Sequence, residues 1–425
     1  MKDFLKYTFT LVLILGITIV AYSIGANMAS GKSAYELAVE QGYSGSVDEW
    51  LTSLKGANGH DAPSIKALYD SAVQDGYTGD IYDFAKDTLD LEKRDSAVFA
   101  CNKAVFSAVS VYCTFAGNSL TNGEYSGAGS GVIYSLDKEK GDAYVLTNYH
   151  VVYESNSGLS KDIKVYLYGA EYSEYEIKAT FVGGSNDNDV AVLKISGSEV
   201  LRESNATAVE VADNVILGET AIAIGNPEAE GISVTRGVVS VLNESISIKS
   251  ANGSVVNLPV MRIDTAINSG NSGGGLFNDK GELIGLVNAK VVASGIEGVG
   301  YALPIELVSP LADCIIDTAV DGVASKCVLG VSLKVVSSKA VLNSDKLSAE
   351  IVQEIVVASG NDRLLEGDVI KYLRLNEEII NPSDMRDIQS FLYKARKGGT
   401  ITVGVLRNDN LLLVDLTLDN VTQIN

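Results

Sequence analysis

A chain of 425 residues exceeds what one hydrophobic core organises, so two or three domains are expected. Its 46% hydrophobic content, with 41 Gly and only 6 Pro, excludes wholesale disorder. With 54 acidic against 33 basic side chains the net charge is −21, which repels nucleic-acid phosphates, and no nucleic acid is expected as a partner.

Residues 7–26 carry no charge and are long enough, at 1.5 Å rise per residue, to cross a bilayer. The sequence therefore predicts a transmembrane anchor within residues 1–30, with a cleaved signal peptide as the competing account. Lys2 and Lys6 precede the run, so the positive-inside rule leaves the N-terminus cytoplasmic. A single-pass protein of the cell membrane with an extracytoplasmic body follows, the membrane being its partner at that end. An outside location permits disulfides among Cys101, Cys113, Cys314 and Cys327, while four buried free thiols are the alternative. The only histidines are His60 and His150, and neither has zinc-ligand spacing, so no metal or other cofactor is expected.

Residues 31–95 contain a weak repeat, in which Tyr35, Ala38, Gly42, Tyr43 and Trp50 are echoed by Tyr69, Ala72, Gly76, Tyr77 and Phe84, always 34 positions on. Each copy reads as two short helices around a Gly-Tyr-x-Gly turn, suited to a spacer or protein-contact role. His60 falls in the loop between the copies. From residue 96 to about 320 the period changes to alternation, as in Ile163-Lys164-Val165-Tyr166-Leu167 and Val190-Ala191-Val192-Leu193-Lys194-Ile195. Strands at such spacing argue an all-β barrel or sandwich, closed by a helix over residues 304–320. Residues 326–420 read as a small α+β domain, with strands over 400–406 and 411–418 and a helix around 383–395.

Three segments of the β domain carry chemistry. His150 lies where an alternating strand runs into Asn148-Tyr149-His150-Val151-Val152, which holds the ring at a strand end. Ser272 lies in Asn268-Ser269-Gly270-Asn271-Ser272-Gly273-Gly274-Gly275, whose glycines let the N–H groups of Gly270 and Ser272 turn into one concave anion site. Asp189 directly precedes an apolar strand and is drawn inward, whereas Asp187, two residues earlier, belongs to a polar turn. Peptide hydrolysis by a serine needs a hydroxyl beside a neutral imidazole, a carboxylate to hold that imidazole, and donors for the oxyanion. The order His, Asp, Ser is that of chymotrypsin.

These segments resemble the three signature stretches of the HtrA (Deg) family of trypsin-like proteases, as do Val234-Thr235-Arg236-Gly237-Val238-Val239-Ser240 and Gly298-Val299-Gly300-Tyr301-Ala302-Leu303-Pro304. The resemblance covers about residues 98–420 and implies a mainly β fold: a chymotrypsin-like double β-barrel followed by a PDZ-like domain, here preceded by the transmembrane helix and short helical repeats. It implies that Ser272 attacks, His150 shuttles the proton and Asp189 orients His150. It also implies a homotrimer acting without a cofactor on unfolded or damaged proteins, as a serine-type endopeptidase. The family usually has Pro where this chain has Ser269 and Gly275, which implies a looser serine loop. In the C-terminal domain Leu329-Gly330-Val331 matches a carboxylate-binding loop, implying that peptide C-termini add a strand beside it. The alternative is a membrane-tethered adaptor in which the PDZ-like domain binds partners and the protease fold is inactive scaffold.

Overall fold

The computed structural model describes residues 96–117, 123–170, 175–289, 298–342 and 349–424, together with the isolated Val73 and Thr78. Residues 91–425 form one compact unit. The expected membrane anchor is corrected here: among the described residues no helix is long and apolar enough to cross a membrane, and residues 7–26 lie outside them. The single-pass topology, the extracytoplasmic placement and the membrane partnership drawn from that helix are withdrawn with it. Hydropathy measures transfer into lipid and not helix formation, so a charge-free run of sufficient length does not by itself dictate a spanning helix. The helical repeats expected over residues 31–95 are likewise no part of the described fold, because that stretch falls almost wholly outside the described residues.

Helix α1 (Ser96–Ala104) leads into the first barrel, built from β1 (Ala108–Phe115), β2 (Tyr125–Asp137), β3 (Asp142–Thr147), β4 (Asp162–Leu167), β5 (Ile177–Ser185) and β6 (Val190–Ile195). The closed order is β1-β2-β3-β6-β5-β4. Alternation dictates the inside: Ile163, Val165 and Leu167 of β4 are buried while the residues between them are half-exposed. Strand β6 is buried on both faces. Ala191, Leu193 and Ile195 fill the barrel, and Val190 and Val192 join a separate apolar cluster that also takes residues of the second barrel.

The second barrel comprises β7 (Thr220–Gly225), β8 (Ser233–Lys249), β9 (Val255–Ile263), β10 (Gly275–Phe277), β11 (Glu282–Val287) and β12 (Gly300–Pro304). The order is β10-β7-β8-β9-β12-β11, and pairing between β10 and β11 closes the circuit. Helix α3 (Ile305–Thr318), labelled after the single turn α2 (Tyr149–Val152), presses Leu307, Val308, Leu311 and Ile315 into the shared cluster. The mainly β double-barrel architecture is thus present as the resemblance implied.

Strand β13 (Ser325–Cys327) then enters a small α+β domain whose sheet runs β14 (Ser332–Leu342), β15 (Ala349–Ser359), β16 (Val369–Leu375), β17 (Thr400–Arg407) and β18 (Asn410–Thr417) in that spatial order. Helix α4 (Met385–Lys394) is started by a capping box on Asp384 and contributes Ile388 and Phe391 to the domain's core. This is the PDZ-like domain. The chain then returns: β19 (Val421–Gln423) pairs antiparallel with β13, and Ile424 enters the cluster between the barrels. All four cysteines are free, three of them buried.

Candidate active site

Strand β3 ends at Thr147, and the turn α2 carries His150 as its second residue, so the imidazole projects from a strand end. The turn is pinned from below: Thr147 Oγ1 donates to the Ser130 carbonyl at 2.7 Å, and the Asn148 amide donates to the Asp189 carbonyl at 2.9 Å. Asp189 takes a left-handed conformation, φ 53°, immediately before β6. Such a backbone persists for a non-glycine residue only where its surroundings over-determine it. Here they do, because Asp189 Oδ1 accepts the His150 backbone N–H at 2.9 Å, while Oδ2 meets His150 Nδ1 at 2.7 Å and accepts the Asn288 amide at 2.8 Å. Asp189 is 4% exposed, so its charge is held by donors rather than by solvent.

With Nδ1–H directed at that carboxylate, the Nε2 lone pair faces Ser272, whose Oγ lies 2.8 Å away. Asp189 and Ser272 are 39 and 122 positions from His150 along the chain, and the three meet in one hydrogen-bonded line. Asp187 does not join it: it is exposed, and its carboxylate accepts only a long 3.4 Å bond from the Asn186 amide.

The serine loop is shaped by its backbone partners. Gly270 has φ 92°, and a Cβ there would stand 2.3 Å from the Asn226 carbonyl oxygen, so glycine alone fits. The Ser269 carbonyl accepts the Glu228 N–H at 2.9 Å, and the Gly270 carbonyl accepts the Ser130 hydroxyl at 2.7 Å. Both carbonyls are thereby turned away and occupied. Among the described residues, nothing accepts from the N–H groups of Gly270 and Ser272. A cleft of about 490 Å³ opens beside them, bordered by His150, Tyr153, Ala251, Ser269 and Ser272. Among the described residues no grouping of three His, Cys, Asp or Glu side chains is arranged to hold a metal ion.

Three contributors were missed in the sequence. Asn288, Asn148 and Ser130 are all fully buried: Ser130 lies in β2, Asn288 directly after β11, and Asn148 between β3 and α2. Asn148 had one visible sign, lying two positions before His150. In the PDZ-like domain, Leu329 is buried and its carbonyl accepts the Asn361 amide at 3.3 Å, Gly330 has φ 71°, and Val331 packs partly on the domain core. They lead directly into β14, the edge strand of its sheet.

Residues 129–286 match the trypsin-like peptidase domain family. Serine protease Do-like HtrA of Lactococcus lactis subsp. lactis is 32% identical over 329 residues, which is 72% of this chain and 76% of that protein. Serine protease Do-like HtrA of Bacillus subtilis is 33% identical over 308 residues, 69% of this chain and 64% of that protein, so the matched region spans under two thirds of this relative's length. A solved structure of the HtrA-type protease AlgW with decapeptide aligns at a TM-score of 0.48 and 26% identity, over 74% of this chain and 96% of that one. Matched at 32% identity by relatives of which it covers about three quarters, the chain belongs to the HtrA family of trypsin-like serine proteases.

Proposed function

We propose that this chain is a serine endopeptidase in which Ser272 is the nucleophile, His150 the general base and Asp189 the residue that orients it, with the N–H groups of Gly270 and Ser272 as the oxyanion hole. The observation that carries this reading is the unbroken Ser272–His150–Asp189 line at 2.8 and 2.7 Å beside two unclaimed N–H donors. As Ser272 Oγ attacks the scissile carbonyl carbon, His150 Nε2 takes its proton and the imidazolium is stabilised by Asp189. The negative oxygen of the tetrahedral adduct is met by the Gly270 and Ser272 N–H groups, already aimed and needing no reorganisation. When the adduct collapses, His150 returns the proton to the leaving amine. Water then hydrolyses the acyl-enzyme by the same relay.

The substrates are extended segments of unfolded or damaged proteins, because the cleft is open along one side and a folded chain presents few peptide bonds to it. The domains are residues 96–320 for hydrolysis and 326–420 for peptide binding. In the latter a peptide adds as a strand on the edge of β14, its terminal carboxylate bound by backbone N–H groups at Leu329, Gly330 and Val331. The competing adaptor reading lacks support from the site, whose three reactive groups are all retained. A fluorophosphonate probe applied to the full chain tests the assignment. Covalent labelling that disappears in Ser272→Ala is expected; labelling that persists in that variant, or none in the unaltered chain with unfolded protein added, overturns it.

A further inference from the structure

The Asp189 carboxylate is held by three donors, two from His150 and one from Asn288, but the peptide that places it belongs to Asn188, and Asn188 is held in part by the other domain. Asn188 is 6% exposed. Its amide nitrogen donates to Ser185 Oγ at 2.9 Å and to the Tyr393 hydroxyl at 3.2 Å, which uses both of its hydrogens. Its amide oxygen accepts from Gln389 Nε2 at 3.2 Å, and the same Gln389 nitrogen lies 2.9 Å from the Tyr393 hydroxyl. Every polar atom of the Asn188 side chain is thus committed, and a flipped amide would set its NH2 against that of Gln389.

Gln389 and Tyr393 lie one turn apart on α4, which packs against α3 of the barrel unit. The helix is not loosely placed. Arg386 donates to the Leu242 carbonyl at 3.3 Å, Asn243 donates to Asp384 at the helix start, and Arg396 pairs with Asp317 just beyond its end. Tyr393 is completely buried, with Lys326 Nζ 5.2 Å from its ring centroid. No packing requirement explains a phenol there, because a phenylalanine ring would fill the same space. The hydroxyl is present where Asn188 needs a partner.

We propose that Gln389 and Tyr393 are positioning residues of the protease site: acting through Asn188, they fix the peptide plane from which Asp189 enters its left-handed turn, so that the PDZ-like domain is a structural part of the catalytic relay as well as a peptide-binding module. The proposal rests on the reading of Asp189 as the residue that orients His150. Its physical basis is that a carboxylate displaced by a fraction of an ångström no longer holds the imidazole on the line to Ser272 Oγ, and small misplacements far from the chemistry lower turnover steeply.

The test uses the full chain and a short peptide substrate with an amidated C-terminus, which offers no carboxylate to the PDZ-like domain and removes tethering from the measurement. Active sites are counted by fluorophosphonate burst titration, and kcat is expressed per titrated site, so that a misfolded fraction does not enter. Tyr393→Phe is expected to lower kcat per site by about 3- to 10-fold, the worth of a neutral hydrogen bond, with KM unchanged. In an Asn188→Ala background, where the relay is already cut, Tyr393→Phe is expected to have no further effect. A per-site kcat within 1.5-fold of the unaltered chain, or effects of the two substitutions that multiply, overturns the proposal while leaving the protease reading intact. Absence of any titratable site in the unaltered chain overturns the protease reading, and this one with it.

Discussion

Replacing Asp189 by Asn leaves the shape of the site almost unchanged and inverts one of its hydrogen-bonding faces. In the native site Oδ1 accepts one donor, the His150 backbone N–H at 2.9 Å, and Oδ2 meets two, His150 Nδ1 at 2.7 Å and the Asn288 amide at 2.8 Å. An asparagine has to put its NH2 on one of these positions. Placed toward Oδ1 it faces a backbone N–H that has no alternative; placed toward Oδ2 it faces the Asn288 NH2 and the ring. The least costly escape is for His150 to change tautomer, so that Nδ1 accepts and the proton moves to Nε2, where it points at Ser272 Oγ and cannot take a proton from it. The expected loss in kcat is therefore on the order of 10⁴, the magnitude of a wrong tautomer rather than of a lost contact. The assay is hydrolysis of an internally quenched peptide by Asp189→Asn at neutral pH, with circular dichroism to verify the fold. A folded variant retaining more than a tenth of native kcat would refute the argument that Asp189 sets the tautomer.

Ser130→Ala removes the hydroxyl that donates to the Gly270 carbonyl and accepts the Asn226 N–H, both at 2.7 Å. Two buried backbone groups lose their partner at about 1–3 kcal/mol each, and peptide hydrolysis should fall about 10- to 100-fold in kcat with little change in KM as the oxyanion loop loosens. In the PDZ-like domain, Arg407 binds both oxygens of Asp368, whose side chain is 1% exposed, at 2.7 and 2.6 Å. Arg407→Ala leaves that carboxylate with the Leu365 N–H, at 2.8 Å, as its remaining partner and should lower that domain's stability, read by chemical denaturation. The Arg407 hydrogen bonds hold the Asp368 carboxyl below its ordinary range. The stabilisation is therefore complete above the unfolded aspartate value of about 4 and is lost as pH falls through the lower native one, a dependence that thermal melts should find weakened in Arg407→Ala. Burial pushes the Cys113 thiol up to about 12, with the Ser160 hydrogen bond opposing and the Asp162 charge adding. Iodoacetamide at pH 8 should leave Cys113 unmodified in the folded protein and alkylate it in urea; modification at equal rates would contradict that burial.

The meeting of His150, Asp189 and Ser272 at one candidate site was legible in sequence for reasons of scarcity and position. A chain with two histidines offers one beside a strand end, and a carboxylate next to a strand that is apolar except for Lys194 is drawn inside, as the two buried faces of β6 explain. The supporting groups were not legible, because Asn288 meets Asp189 across 99 positions and an asparagine has no distinctive pattern of its own. Strand β5 was not among the strands read from the sequence, and it carries Gly183 and Gly184. They are small for packing: a Cβ at Gly184 would stand 2.6 Å from the Tyr149 ring. The departure at Gly275 has a similar cause, for a Cβ there would stand 2.4 Å from the Phe277 ring, so the bulk the family usually places at this position is excluded by a neighbour two residues on. The N-terminal anchor shows the opposite failure, in which composition alone carried an inference about conformation that composition does not determine.

Because β13 and β19 run side by side, the routes into and out of the PDZ-like domain are stitched together at three paired positions. A domain on a single cord swivels about any axis, whereas one hung on two joined leaves opens like a door. Ile424 is the pin at the far edge, a member of the apolar cluster that the two barrels share. A swing wide enough to part α4 from α3 has to unzip the stitch and draw that pin, so the door's latch and the barrels' packing share one fate.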